Sequence, residues 1–173
     1  MPVPQSTASL PSAHPSHAFL EPHLSAHPSS SAALLQTFTD LAHSARWTHL
    51  EPVLLDGVGI PALVGWKTSG DEKSDEQKPA SVVVPLRTHD RLTPSFLAAL
   101  FKAAHALPNP YTFRTSAHGP TLLGLPTAAE EPTQQINPRR VPLASDALTV
   151  AVLGPDGTVV YYNLAEGIRK PIN

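Results

Sequence analysis

The chain has 173 residues, with 12 lysines and arginines against 14 acids and a formal net charge of −2. That length fits one domain, or one domain with a tail, and an apolar content of 41% can supply a core that buries about two-thirds of the unfolded surface. The near-neutral balance argues against a free-standing nucleic-acid binder, and the absence of cysteine excludes disulfide scaffolds, thiol catalysis, thiolate zinc sites and iron–sulfur clusters.

No apolar run approaches the roughly 20 residues of a membrane span, and Met1-Pro2-Val3-Pro4 lacks the basic and apolar blocks of a secretory signal. The expectation is a soluble intracellular protein. Residues 1–29 read as a disordered tail. Pro2, Pro4, Pro11, Pro15, Pro22 and Pro28 leave no room for an ordinary helix, and Leu10, Phe19, Leu20 and Leu24 are sparse and aperiodic. His14, His17, His23 and His27 share this stretch, but nothing pre-organises them as ligands.

The domain proper is expected over 30–173. Leu34, Phe38, Leu41 and Ala45 recur at helical spacing from Ser31 to Ala45, with Ser30 or Ser31 as the cap. Trp47 and Leu50 come next as candidate core anchors. Val53 to Val58 with its Asp56-Gly57 step predicts a hairpin turn, and Ile60 to Trp66 the returning strand. Pro61 suggests that this strand is an edge or carries a bulge, and an alternative turn at Gly57–Pro61 would shift the register. Residues 67–79 hold no apolar side chain and read as a solvated loop. Ser81 to Leu86 is a short β-branched strand. Thr93-Pro94 opens a second helix with Thr93 as its cap; Leu97, Leu100, Phe101, Ala104 and Leu107 form its inner face, and Pro108-Asn109-Pro110 stops it. Tyr111 to Arg114 and Thr121 to Leu125 are candidate short strands, and Pro126 to Pro138 is a polar, proline-bearing connection.

The C-terminal segment is the most informative. Leu148 to Leu153 alternates, Gly154-Pro155-Asp156-Gly157 fits a type I turn with a bulge, and Thr158 to Leu164 returns with apolar residues on both faces. A two-faced apolar strand of this kind must be covered by its own fold or by a partner's strand. The fold class expected is α/β (α+β): a mixed sheet, two helices and a C-terminal β-hairpin.

A catalytic set is not legible. No glycine loop of the phosphate-binding type, no His-Glu-x-x-His and no Gly-x-Ser-x-Gly occurs. The carboxylate pairs Asp71-Glu72, Asp75-Glu76 and Glu130-Glu131 sit in polar stretches, where solvated acids keep ordinary acidity. His43, His49, His105 and His118 read as packed or surface side chains. A hydrolase built on His105 or His118 is the outlying alternative. Arg139-Arg140 is the one adjacent basic pair and the candidate RNA contact; the plainer reading is a solvated approach to the strand.

The run from Leu148 to Asn173 resembles the C-terminal signature of the small structural subunit of the eukaryotic tRNA-splicing endonuclease. The resemblance is carried by Thr158 to Tyr162, by Glu166-Gly167-Ile168 and by Lys170-Pro171. A weaker likeness runs through Trp47-Thr48, Val84-Pro85 and the helix holding Phe96, Leu97 and Phe101. The resemblance implies a compact tRNA-endonuclease-like domain that pairs with a catalytic subunit, in a nuclear heterotetramer that excises introns from precursor tRNA. Catalytic subunits of that family use a Tyr, a His and a Lys. Here Tyr111 and His118 are too close together to stand for the first two, and Arg139 and Arg140 occupy the place expected for the lysine. A non-catalytic subunit without cofactor is therefore expected. The resemblance also implies a turn that docks on a neighbour, with Asp156 as its single acid. The expected partner surface comprises Val150, Val152, Asp156, Gly157, Val159, Tyr161, Tyr162 and Leu164. The alternative is a homodimeric interaction module that uses the same strand and has no RNA role.

Overall fold

The computed structural model describes residues 15–67, 79–113, 140–144 and 146–167. In chain order these form α1 (Pro15–Ala26), α2 (Ser31–His43), β1 (Trp47–Leu55), β2 (Ile60–Lys67), β3 (Ser81–Arg87), α3 (Pro94–His105), β4 (Tyr111–Thr112), β5 (Arg140–Val141), β6 (Ala147–Leu153) and β7 (Val159–Ala165). Five strands make one mixed sheet in the order β1-β2-β3-β6-β7, and β4 pairs with β5 in a second, two-stranded sheet. Only the β3–β6 contact is parallel within the large sheet. A parallel pair needs a long crossover, and α3 lies within it. The expected mixed α+β class holds.

The sheet is covered on both faces, which explains its apolar strands. Alternate residues of β2 go opposite ways: Ala62, Val64 and Trp66 join one core with Val82, Val84, Leu100, Phe101, Tyr111 and Phe113, whereas Leu63 joins a second core with Val83, Leu34, Phe38 and Leu41. The first core lies under α3 and the small sheet, the second under α1 and α2.

Helix α1 corrects the expectation that 15–29 is without a helix. Pro22 sits inside it, and an internal proline costs about 3 kcal/mol. Leu20 and Leu24, one turn apart, are both buried in the second core. Burial of such side chains contributes about 1.5–3 kcal/mol each and offsets that cost. Phe19 also packs on Phe38, with ring centroids 5.7 Å apart. The fold thus has three helices among its described residues where two are expected. Residues 1–14 of the expected tail lie outside the described residues.

Helix α2 starts at Ser31 as predicted, with Ser30 at the cap position, but the Ser30 side chain makes no capping bond. Helix α3 adheres closely to the predicted chemistry. Thr93 accepts a hydrogen bond from the Phe96 amide at 3.2 Å, and Pro94 occupies the first turn.

The β1–β2 hairpin differs in detail from the Asp56-Gly57 expectation. Leu55 pairs with Ile60, and the left-handed residue of the connection is Gly59 at φ 66°, not Gly57. Strand β1 also begins six residues before Val53. A bulge between Thr48 and Glu51 accommodates His49, whose φ of 51° is left-handed. Pro61 lies in an interior strand, not an edge. The β2–β3 pairing involves only Leu63 to Gly65, so the missing proline amide falls outside that ladder. The candidate strand Thr121–Leu125, the polar connections and His118 lie outside the described residues.

Candidate functional site

The C-terminal hairpin closes as the sequence predicts. The Gly154 amide donates to the Thr158 carbonyl at 2.8 Å, the Gly157 amide to the Gly154 carbonyl at 3.1 Å, and Gly157 adopts a φ of 85° that glycine tolerates best. The Asp156 carboxylate accepts from the Thr158 amide at 3.0 Å and the Thr158 hydroxyl at 2.9 Å. These two bonds hold its pKa below the usual carboxylate value, the backbone bond contributing most. Asp156 and Gly157 are exposed at the tip.

Strand β7 is the end of the large sheet. Its bonding phase is set by the hairpin's two ends. Gly154 donates to Thr158, and Glu166 donates to the Asp146 carbonyl at 3.4 Å. In an antiparallel ladder bonded pairs alternate, so Val160, Tyr162 and Leu164 exchange bonds with Val152, Val150 and Leu148. The amides of Val159, Tyr161, Asn163 and Ala165 consequently point to the outer edge. Among the described residues no strand pairs with that edge.

The expected interface residues separate by face. Val159 and Tyr161 turn toward α2 and pack on the second core. The Tyr161 hydroxyl donates to Asp40 Oδ2 of α2 at 2.6 Å. Burial, then this bond and the Asp40 charge, push the phenol well above its ordinary pKa. On the opposite face Val150 is fully enclosed, while Val152 and Leu164 are partly buried against the first core. Tyr162 stands 53% exposed, and Val160 beside it 45%. Val160 is absent from the sequence-based set, although its place between Val159 and Tyr161 marks it as facing away from them. Arg140 is exposed at the start of β5; Arg139 lies outside the described residues.

Other polar groups sit elsewhere. Glu51 is 4% exposed and accepts from the Tyr111 hydroxyl at 3.2 Å. His49 stacks on Trp66 at 4.1 Å and 15°. His105 lies 3.6 Å from Glu166 at the surface. Among the described residues no cluster of three His or acidic side chains has the geometry to hold a metal, and no helix is long and apolar enough to cross a membrane.

The segment that contains β5, β6 and β7 carries a family likeness. Residues 128–173 match the family model of the Sen15 protein. The match covers 46 of the chain's 173 residues, and the likeness is of that segment to a family of tRNA-splicing endonuclease subunits. The Sen15 family is one of non-catalytic subunits. The three helices and strands β1 to β4 fall outside the matched segment. No match was found among curated proteins.

Proposed function

We propose that this Sen15-type chain is a structural subunit that pairs with a catalytic subunit of the tRNA-splicing endonuclease, through the outer edge of β7, to support intron excision from precursor tRNA in the nucleus. The reading is carried by one observation: β7 ends the sheet with four outward amides beside two exposed apolar side chains, Val160 and Tyr162. A strand added there would gain main-chain bonds, and the Val160–Tyr162 face would give it apolar contact.

In this arrangement Val152, Tyr162 and Leu164 form the contact face with Val160. Val150, Val159 and Tyr161 hold the strand from within, and Asp156 and Gly157 present the turn. Arg140 and Arg139 are the basic side chains offered to RNA held by the complex. A second reading, a homodimer, draws on the same edge, because an antiparallel edge can pair with a copy of itself.

Co-expression with the endonuclease's catalytic subunits tests the proposal. Val160→Asp and Tyr162→Asp place a charge on the exposed face without opening either core. Each is expected to cut co-purified catalytic subunit at least tenfold, with the melting temperature of the isolated chain nearly unchanged. Co-purification at the wild-type level would overturn the proposal. A chain that forms only homodimers and captures no catalytic subunit would favour the second reading.

A further inference from the structure

The chain contains two Asp-Gly steps, Asp56-Gly57 and Asp156-Gly157, and both lie exposed in hairpin turns. An aspartate followed by glycine can cyclise, because glycine has no Cβ to shield its amide nitrogen from the neighbouring carboxyl. The two turns differ in how they hold the reacting groups. We propose that Asp56 is a modification site, isomerising spontaneously to isoaspartate, and that Asp156 is protected from the same reaction.

At the C-terminal turn both reacting groups are engaged. The Asp156 carboxylate accepts from the Thr158 amide at 3.0 Å and the Thr158 hydroxyl at 2.9 Å, and the Gly157 amide donates to the Gly154 carbonyl at 3.1 Å. Cyclisation there must break these bonds. The Thr158 bonds also favour the ionised carboxylate, which is a poorer electrophile than the acid. At the β1–β2 turn neither group is engaged. The bonds of that turn come from the Val58 and Gly59 amides, which donate to the Leu55 carbonyl at 2.9 Å and 2.8 Å. Among the described residues the Gly57 amide and the Asp56 carboxylate have no hydrogen-bond partner.

The reaction balances within the chain. The Gly57 nitrogen attacks Asp56 Cγ; the N–Cγ bond forms, and the amide hydrogen leaves with the carboxyl hydroxyl as water. Water then opens the cyclic imide. Cleavage of the N–Cγ bond restores aspartate. Cleavage between the nitrogen and the Asp56 main-chain carbonyl carbon gives isoaspartate. The backbone then runs through Cβ and Cγ, one methylene longer, and the α-carboxylate becomes a side group. That carboxylate is the acceptor used by enzymes that methylate isoaspartyl residues. The added methylene falls where the turn meets α3: a Cβ on Gly57 would stand 3.5 Å from Ala103 Cβ, and Val58 packs on the first core. Isomerisation therefore loosens the β1–β2 turn against α3. The inference does not rest on the subunit reading, since β1 and β7 are opposite ends of the sheet.

The test ages the folded full chain at mildly acidic pH and follows isoaspartate in its tryptic peptides by enzymatic carboxyl methylation and electron-transfer fragmentation. Trp47–Lys67 carries Asp56, and Val141–Arg169 carries Asp156. Isoaspartate is expected to accumulate at Asp56 at least tenfold faster than at Asp156, and the two rates should converge when the chain is unfolded in urea. Equal rates in the folded chain, faster conversion at Asp156, or no conversion at Asp56 while the unfolded chain converts would each overturn the proposal. Gly57→Ala supplies a second reading. The position has no left-handed backbone and a Cβ meets only ordinary contact, so the variant should keep its melting temperature while conversion at Asp56 slows severalfold. An unchanged rate in that variant would contradict attack by the residue 57 amide.

Discussion

Replacing Tyr161 with Phe removes one oxygen and leaves the ring in place between β7 and α2. The lost bond is short, 2.6 Å, and its acceptor is a carboxylate. Hydrogen bonds to charged groups contribute about 1.5–3 kcal/mol. Tyr161 and Asp40 are only half-buried, so water can replace part of the bond, and a loss of about 1–2 kcal/mol is expected. In a chain of this size that corresponds to a fall of about 2–8 °C in melting temperature. The pH dependence has a definite sign. The folded phenol titrates above its ordinary value, so its contribution is fully present below about pH 10, the unfolded pKa, and is lost as pH rises beyond it. Urea denaturation at pH 7 and pH 10.5 should therefore show the wild-type chain approaching the Tyr161→Phe variant at the higher pH. A double-mutant cycle with Asp40→Ala isolates the pair. A coupling below about 0.3 kcal/mol, or a gap between wild type and variant that widens with pH, would refute the reasoning.

Two further predictions concern the second core and the β1 bulge. Thr37 is fully enclosed, and its hydroxyl has no hydrogen-bond partner among the described residues. Thr37→Val keeps the shape and removes a desolvated group, so urea midpoints should rise, by about 1 kcal/mol of stability. A Cβ at Gly65 would stand 2.7 Å from Leu50 Cδ2 and 3.3 Å from the His49 carbonyl. Gly65→Ala is therefore expected to cost about 1–3 kcal/mol by thermal melting, as neighbours at the bulge are forced aside.

The sequence carries local rules well and long-range placement poorly. The Thr93-Pro94 start of α3 and the Gly154–Gly157 turn are legible because cap and turn chemistry act over a few residues. Helix α1 is not, because its proline spacing argues against a helix, and only the contact of Leu20 and Leu24 with the second core reverses the balance. The early start of β1 is hidden by His49, whose left-handed backbone depends on the bulge and sits with its ring against Trp66. A lone Glu51 gives no signal of burial, since its partner Tyr111 is 60 residues away. The hairpin's apolar alternation marks it as a surface to be covered. Which side chains remain exposed depends on sheet order: β7 comes last, so Val160 and Tyr162 stay open while Val159 and Tyr161 close on α2.

The outer edge of β7 is where the proposed pairing must leave its mark. Hydrogen exchange of the Val159, Tyr161, Asn163 and Ala165 amides, measured with and without the catalytic subunits of the tRNA-splicing endonuclease, reads that edge residue by residue. Strand addition predicts at least tenfold slower exchange at these four positions in the complex, with the already bonded amides of Val160, Tyr162 and Leu164 changing less. A complex that forms while the four outward amides exchange as fast as in the isolated chain would contradict the account.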